Sequence, residues 1–346
     1  MTVDLKKLNG RIYRVITKIG RCADEHQIKA FIVGGVVRDF FLDQPNSDID
    51  IVVEASAPVF ARHLTERFKA IHVRIHHQFG TATVEGLKGV YIDIVSARGE
   101  TYPYPGALPS VFRSGLKDDL FRRDFTINAL AICINKNHFG DLIDYCDGLK
   151  DLRKGIIRVF HDQSFVDDPT RILRAVRFEQ RFGFKFFSKT RQLLRTAIRE
   201  HFERTVSSPR YFNEFVRGLE EEDPGRYLVR LKNLEAMDFL GKAGQIRPRI
   251  LQGLGEALKV PVAKRSFKKI FFLAGLFSCC TKDEILDCGN KFQWPREEKK
   301  QIIAMVGSWH HFNELKEKGK QKEFLNSCSE VVKYFIQIMT AVNGMV

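Results

Sequence analysis

The 346-residue sequence contains no apolar run of membrane-span length, and its first residues, MTVDLKKLNGRIYRVI, hold no apolar core of the size a signal peptide needs. Membrane-embedded and exported classes are set aside on this reading, and a cytoplasmic protein is expected. Cysteine is scarce and badly spaced for cross-linking. The seven residues, at 22, 133, 146, 279, 280, 288 and 328, are odd in number and form no CxxC pair, which argues against a disulfide framework and a structural zinc site. Reduced, mostly buried thiols are expected instead. No repeat or low-complexity tract interrupts the chain, and its 44% apolar content suits a globular protein of two or three domains. Acidic residues are the poorer side of the charge balance, with 42 Asp+Glu against 56 Lys+Arg and a net charge of +14.

That imbalance is local. Residues 1–150 hold 20 Lys+Arg against 18 Asp+Glu, whereas residues 151–346 hold 36 against 24. Two readings of the basic half stand: a surface that follows a polyanion such as RNA, or a solvated basic helical face. The periodicity changes near the same place. Up to residue 136, short β-branched runs (Phe31 to Val33, Ile49 to Val53, Thr81 to Glu85, Val90 to Val95, Ala129 to Ile134) alternate with helical stretches, predicting a mixed α/β domain. Strand signals stop after Ser164. RILRAVRFEQRFGF, RQLLRTAIREHF and YFNEFVRGL then carry apolar residues at three and four spacing, so helices are expected to the end.

The chemistry concentrates in FIVGGVVRDFFLDQPNSDIDIVVEA, residues 31–55. Gly34 and Gly35 fall where a strand meets a helix, where glycine lets the backbone turn tightly and aim N–H groups at an anion, and Arg38 lies one turn on. In the following strand Asp48 and Asp50 interrupt an apolar run. Residues two apart on a strand share a face, so both carboxylates point one way and Ile49 and Ile51 the other. Bare anions that close repel, and a divalent cation with a taste for oxygen, Mg²⁺, resolves the repulsion. Asp93, in VYIDIV, interrupts the next strand and is a candidate third ligand. The competing reading is a capped turn, since Asn46 and Ser47 precede the pair.

The ordered motifs VGGVVRD (33–39), SDIDIVVE (47–54), LFRRDFTINALAI (120–132), DLIDYCDGLKDLRKGIIRVF (141–160) and DDPTRILRAVRF (167–178) resemble those of class II tRNA nucleotidyltransferases, a family that includes CCA-adding, CC-adding and A-adding enzymes and bacterial poly(A) polymerases. The resemblance covers roughly residues 10–215 and implies an α/β catalytic head with a polymerase-β-like mixed sheet, followed by all-α neck and body domains. The corresponding boundaries are 1–136 for the head, 137–205 for the neck and 206–346 for a tRNA-binding body. It assigns Gly34, Gly35 and Arg38 to the triphosphate, Arg123 to the nucleotide, Asp48 and Asp50 to catalytic Mg²⁺ ions, and Asn128 to the ribose. In the neck it assigns base selection to Asp167, Asp168 and Arg171, with Arg174 and Arg177 as further nucleotide contacts.

On a helix, Asp168 and Arg171 share a face. A carboxylate accepts from the exocyclic amine of adenine or cytosine while a guanidinium donates to the adjacent ring nitrogen; uracil and guanine reverse both partners. The implied partners are a tRNA 3′ end, ATP and CTP, with no DNA and no membrane. A Pro/Gly-rich segment, ETYPYPGALPSV (100–111), resembles the flexible loop of CCA-adding and A-adding members, so CC-only addition is the least expected product. CCA addition is the expected activity, with A-only addition, poly(A) synthesis and an inactive RNA-binding protein as alternatives. By the same resemblance the C-terminus looks short for gripping a tRNA elbow, and the apolar SEVVKYFIQIMTAVNGMV either packs into the body or lacks a partner. His72, His76 and His77 have no clustered carboxylate and are not expected to bind metal, and His161–Asp162 reads as a loop before the neck helix.

Overall fold

A computed structural model of the chain describes residues 1–46, 48–68, 72–76, 80–87, 90–257 and 265–344. It divides into two compact units. The first comprises residues 1–103, 108–164 and 185–190. Helix α1 (Gly10–Glu25) buries Ile12, Val15, Ile16, Ile19 and Cys22, the stripe that three and four spacing dictates. Strand β1 (Ala30–Val33) is buried along its whole length and leads into α2 (Gly35–Phe41), then β2 (Asp48–Val53), α3 (Ala57–Arg67), β3 (His72–His76), β4 (Thr81–Leu87) and β5 (Val90–Ser96). A hairpin, β6 (Arg98–Thr101) with β7 (Ser110–Arg113), and α4 (Leu116–Phe121) follow, then β8 (Ala131–Cys133), β9 (Leu142–Ile143), α5 (Gly148–Lys154) and β10 (Ile156–Ile157).

Seven of these strands form one sheet in the order β3-β4-β5-β2-β1-β8-β9. Only β2 and β5 pair in parallel; the other ladders are antiparallel, so the sheet is mixed as expected. The first unit runs past residue 136, because β9 completes the sheet and residues to Ser164 stay with it. One further strand corrects the reading that strand signals stop after Ser164. Strand β11 (Lys185–Phe186) pairs in parallel with β10, and two residues are too few to show an alternation.

The second unit, residues 104–107, 165–184 and 191–346, is helical in its described residues apart from short links. Its helices are α6 (Ser164–Asp167), α7 (Thr170–Phe182), α8 (Ser188–Arg199), α9 (Ser208–Leu219), α10 (Pro224–Asn233), α11 (Pro248–Ala257), α12 (Arg265–Leu276), α13 (Lys282–Lys291), α14 (Arg296–Glu314), α15 (Lys318–Ser327) and α16 (Glu330–Gly344). Phe212 stacks on Phe292 at 4.4 Å between ring centroids and Phe215 meets Phe239 edge-on at 5.3 Å, so aromatic packing holds α9. Helix α16 is a packed element. Its Phe335, Ile336 and Met339 are buried, with the Phe335 ring 5.2 Å from Phe271 on α12.

Candidate active site

In the first unit the site is built at the end of β1. Gly34 adopts φ +75°, a conformation that side chains resist, and caps α2. A Cβ there would stand 2.8 Å from Arg123 Nη1 and 3.4 Å from Asp50 Oδ2, so the turn, the arginine and the carboxylate meet only because residue 34 is glycine. A Cβ at Gly35 would lie 3.6 Å from Arg38 Nη2. Arg38 is only 5% exposed and is held by its neighbours. Its Nε donates to Asp39 Oδ1 at 2.8 Å and its Nη1 to Asn128 Oδ1 at 2.7 Å. Asn128 in turn donates through Nδ2 to Asp124 Oδ1 at 2.8 Å. Each polar atom of Asn128 thus makes one bond that positions Arg38 and Asp124, leaving its second N–H and second lone pair for the ribose expected there.

The carboxylates follow the strand alternation. Along β2, Asp48 is exposed, Asp50 half-buried, and Ile49 and Ile51 lie in the core. Asp93 stands opposite Asp50 in the parallel β2–β5 register. Its Oδ1 accepts from Thr83 Oγ1 at 2.7 Å, and among the described residues no three His, Cys, Asp or Glu side chains converge as a metal-binding group in this metal-free arrangement. Burial pushes the Asp50 carboxyl above the usual range; Arg123 pulls it down, while Asp93, Asp48 and Asp119 add to the rise. Hard oxygen donors whose charges repel when bare suit Mg²⁺, so the Asp48–Asp50 pair fits that ion.

Asp119 organises the arginines and was not read from the sequence. Fully buried at 0% exposure, it accepts from Arg122 Nη2 at 2.7 Å through Oδ1 and from Arg123 Nη2 at 3.0 Å through Oδ2. Arg123 Nε is buried with no hydrogen-bond partner among the described residues. A donor left unpaired beside a glycine turn is what an anionic oxygen satisfies.

The second unit holds the neck residues, and there the helix reading needs revision. Asp167 ends α6, and Asp168 lies in the break before α7, whose cap is Pro169. Asp168 therefore does not share a helix face with Arg171. Its Oδ1 accepts from Thr170 N at 3.1 Å and Thr170 Oγ1 at 2.6 Å and is ion-paired with Arg210 Nη2 at 2.9 Å. Arg171 is buried in the first turn of α7. Arg177, expected as a nucleotide contact, is engaged by two carboxylates of its own unit. Its Nε and Nη2 donate to Glu214 Oε1 at 3.1 and 2.9 Å and its Nη1 to Glu221 Oε1 at 3.1 Å, which ties α7 to α9. Arg174 reaches the same Glu214 at 3.6 Å. Arg177→Ala is expected to lower the unfolding free energy by about 2–3 kcal/mol, since Glu214 is left buried with less compensation. The ratio of ATP to GTP incorporation should be unchanged, and denaturant melting beside a nucleotide competition assay checks both. Ser47 and His77 lie outside the described residues.

A mixed sheet that gathers a left-handed glycine turn, an orphaned arginine donor and two carboxylates on one strand face defines the class as a nucleotidyltransferase-type head. The pattern of the poly A polymerase head domain matches residues 30–158. An A-adding tRNA nucleotidyltransferase of Geobacter sulfurreducens is 42% identical over 71% of this chain and 28% of its own length. A multifunctional CCA protein of Nitrosomonas europaea is 30% identical over 81% of this chain and 68% of its own. A CCA-adding enzyme in its apo form II superposes with a TM-score of 0.81 at 30% identity, covering 99% of this chain and 84% of that one, and a CCA-adding enzyme in complex with ATP does so at 0.79 and 29%, covering 99% and 83%. The chain belongs to the family of tRNA nucleotidyltransferases and poly(A) polymerases. It spans little more than a quarter of the length of the Geobacter relative.

Proposed function

We propose that the protein transfers a nucleotide from a nucleoside triphosphate to the 3′ end of tRNA without a template, and that the nucleotide is AMP, added to tRNA ending in CC. The observation that carries the transfer is the Gly34 turn, which brings Arg123 Nη1 and Asp50 Oδ2 to one point. Asp48 and Asp50 would hold Mg²⁺; when bound, it supplies charge neutralisation and activation of a hydroxyl nucleophile. Asp39 and Asn128 keep Arg38 beside Gly35, where its charge favours the triphosphate. Arg123 Nε meets an anionic oxygen. Oδ2 of Asp168 takes the exocyclic amine of adenine, and Arg171 donates to the ring nitrogen beside it. The basic excess of residues 151–346 follows the tRNA backbone.

The choice of AMP rests on the 42% identity to an A-adding relative against 30% to a multifunctional CCA protein. Full CCA addition, the activity expected from the sequence, is the second reading, favoured by likeness to a CCA-adding enzyme over 99% of the chain. The test offers tRNA ending at the discriminator base and tRNA ending in CC, each with CTP, ATP or both. Growth by one on the second alone is expected. Growth by three on the first supports CCA addition, and growth by two that stops despite ATP overturns both readings.

A further inference from the structure

A cavity lies in the first unit at the far end of the strands that carry the carboxylates. Ser96, the last residue of β5, pairs with Val53 at the close of β2, five residues and about 16 Å along the strand from Asp48. Beyond that point Val59 and Arg62 of α3 and Arg98, Phe112 and Arg113 of the β6–β7 hairpin line a space of about 440 Å³. Its base is fixed. Ser96 Oγ accepts from Ala57 N at 2.9 Å and donates to Gly80 O at 3.0 Å, which joins the first turn of α3 to the end of β5 and the approach to β4.

The lining carries one sign of charge. Among the described residues that line the cavity three are arginines and none is acidic. Arg98 is paired with Glu100 Oε1 at 3.2 Å, whereas Arg62 and Arg113 are exposed and their side chains make no hydrogen bond or ion pair with a described residue. Phe112 is 50% exposed and lies across Gly99, its partner in the hairpin, where a Cβ would stand 2.3 Å from the ring Cζ. Glycine at 99 therefore lets the ring rest on the neighbouring backbone and leaves half of it open. A fixed aromatic face beside unpaired guanidinium groups suits a base and its phosphate together. An acidic peptide would meet the arginines and leave the ring unstacked.

We infer that this cavity binds a nucleotide, its base stacked on Phe112 and its phosphate held by Arg62 and Arg113. No residue of the cavity belongs to the Gly34 turn or the Asp48–Asp50 pair, so occupancy here is independent of transfer. The same chemistry is offered by one nucleotide of an RNA single strand and by a free mononucleotide.

The experiment uses the full chain with hexa-adenylate RNA, AMP and a glutamate hexapeptide in turn, and follows amide hydrogen exchange at residues 57–62 and 110–113. Exchange at residues 33–38 with ATP, read in parallel, keeps a failure of the triphosphate turn apart from a failure of the cavity. Hexa-adenylate is expected to slow exchange in both cavity segments of wild type. Phe112→Leu keeps an apolar cover over Gly99 but offers no ring, and should raise the RNA concentration for half-protection of residues 57–62 by about 5- to 150-fold. Phe112→Trp should preserve it. Arg62→Gln and Arg113→Gln should each weaken protection and lower the slope of log affinity against log salt by about 0.7. Protection by AMP within tenfold of the RNA concentration identifies a free nucleotide as the occupant, and protection by RNA alone identifies a strand. Protection by neither, an equal response to the hexapeptide, or unchanged half-protection in Phe112→Leu would each overturn the site.

Discussion

Asp48→Asn and Asp50→Asn should each lower nucleotide transfer by on the order of 10³-fold or more, the scale of losing a preorganised charge that acts on the reacting phosphate. The two variants should part company in stability. Asp50 is half-buried, and burial together with Asp93, Asp48 and Asp119 raises its pKa despite the pull of Arg123. Its ionised form is therefore disfavoured in the folded state, and Asp50→Asn should melt higher than wild type at neutral pH. Because the folded pKa is the raised one, wild type binds its proton more readily folded than unfolded. The advantage of the asparagine variant should shrink as pH falls through the raised pKa toward the ordinary carboxylate range. Added Mg²⁺ should raise the melting temperature of wild type and leave Asp50→Asn unmoved. Thermal melting across pH and Mg²⁺ concentration, beside single-turnover incorporation, measures all three. Full transfer by either variant would show that the carboxylates are misassigned.

Asp119→Ala should carry the largest stability loss, about 3–5 kcal/mol, because it leaves Arg122 and Arg123 short of the buried anion between them. Glu100 still accepts from Arg122 Nη1 at 3.0 Å, so the greater disturbance falls on Arg123. Transfer should fall with it, through a higher KM for the nucleotide. Urea unfolding and a KM measurement on the surviving folded protein test this, and a variant as stable as wild type would remove Asp119 from its organising role.

How much of this was open to a reader of the sequence follows from the range of each interaction. The alternation that puts Asp48 and Asp50 outward and Ile49 and Ile51 inward has a period of two and is fully local, so it was legible. Asp119 was legible too: in LKDDLFRRD it precedes Arg122 and Arg123 by three and four residues, the spacing of one helical turn. Asp168 precedes Pro169, and a residue before proline is pushed out of the helical region, which foretold the break before α7. The partners of Arg177 gave no such sign. Glu214 and Glu221 lie 37 and 44 residues further along, and only the packing of α7 against α9 brings them close. Arg210, 42 residues beyond Asp168, was hidden for the same reason.

The parallel pairing of β2 with β5 opposes Asp50 to Asp93 and Ile51 to Ile94 in successive rows. A slip of one residue would carry Ile49 and Ile51 out to the carboxylate face and drive two carboxylates into the core. The Asp48–Asp50 pair is thus proofread by the hydrophobic core beneath it. Over evolutionary time this strand can exchange one apolar side chain for another, but an insertion or deletion within Asp48–Val53 would cost fold and chemistry in a single event.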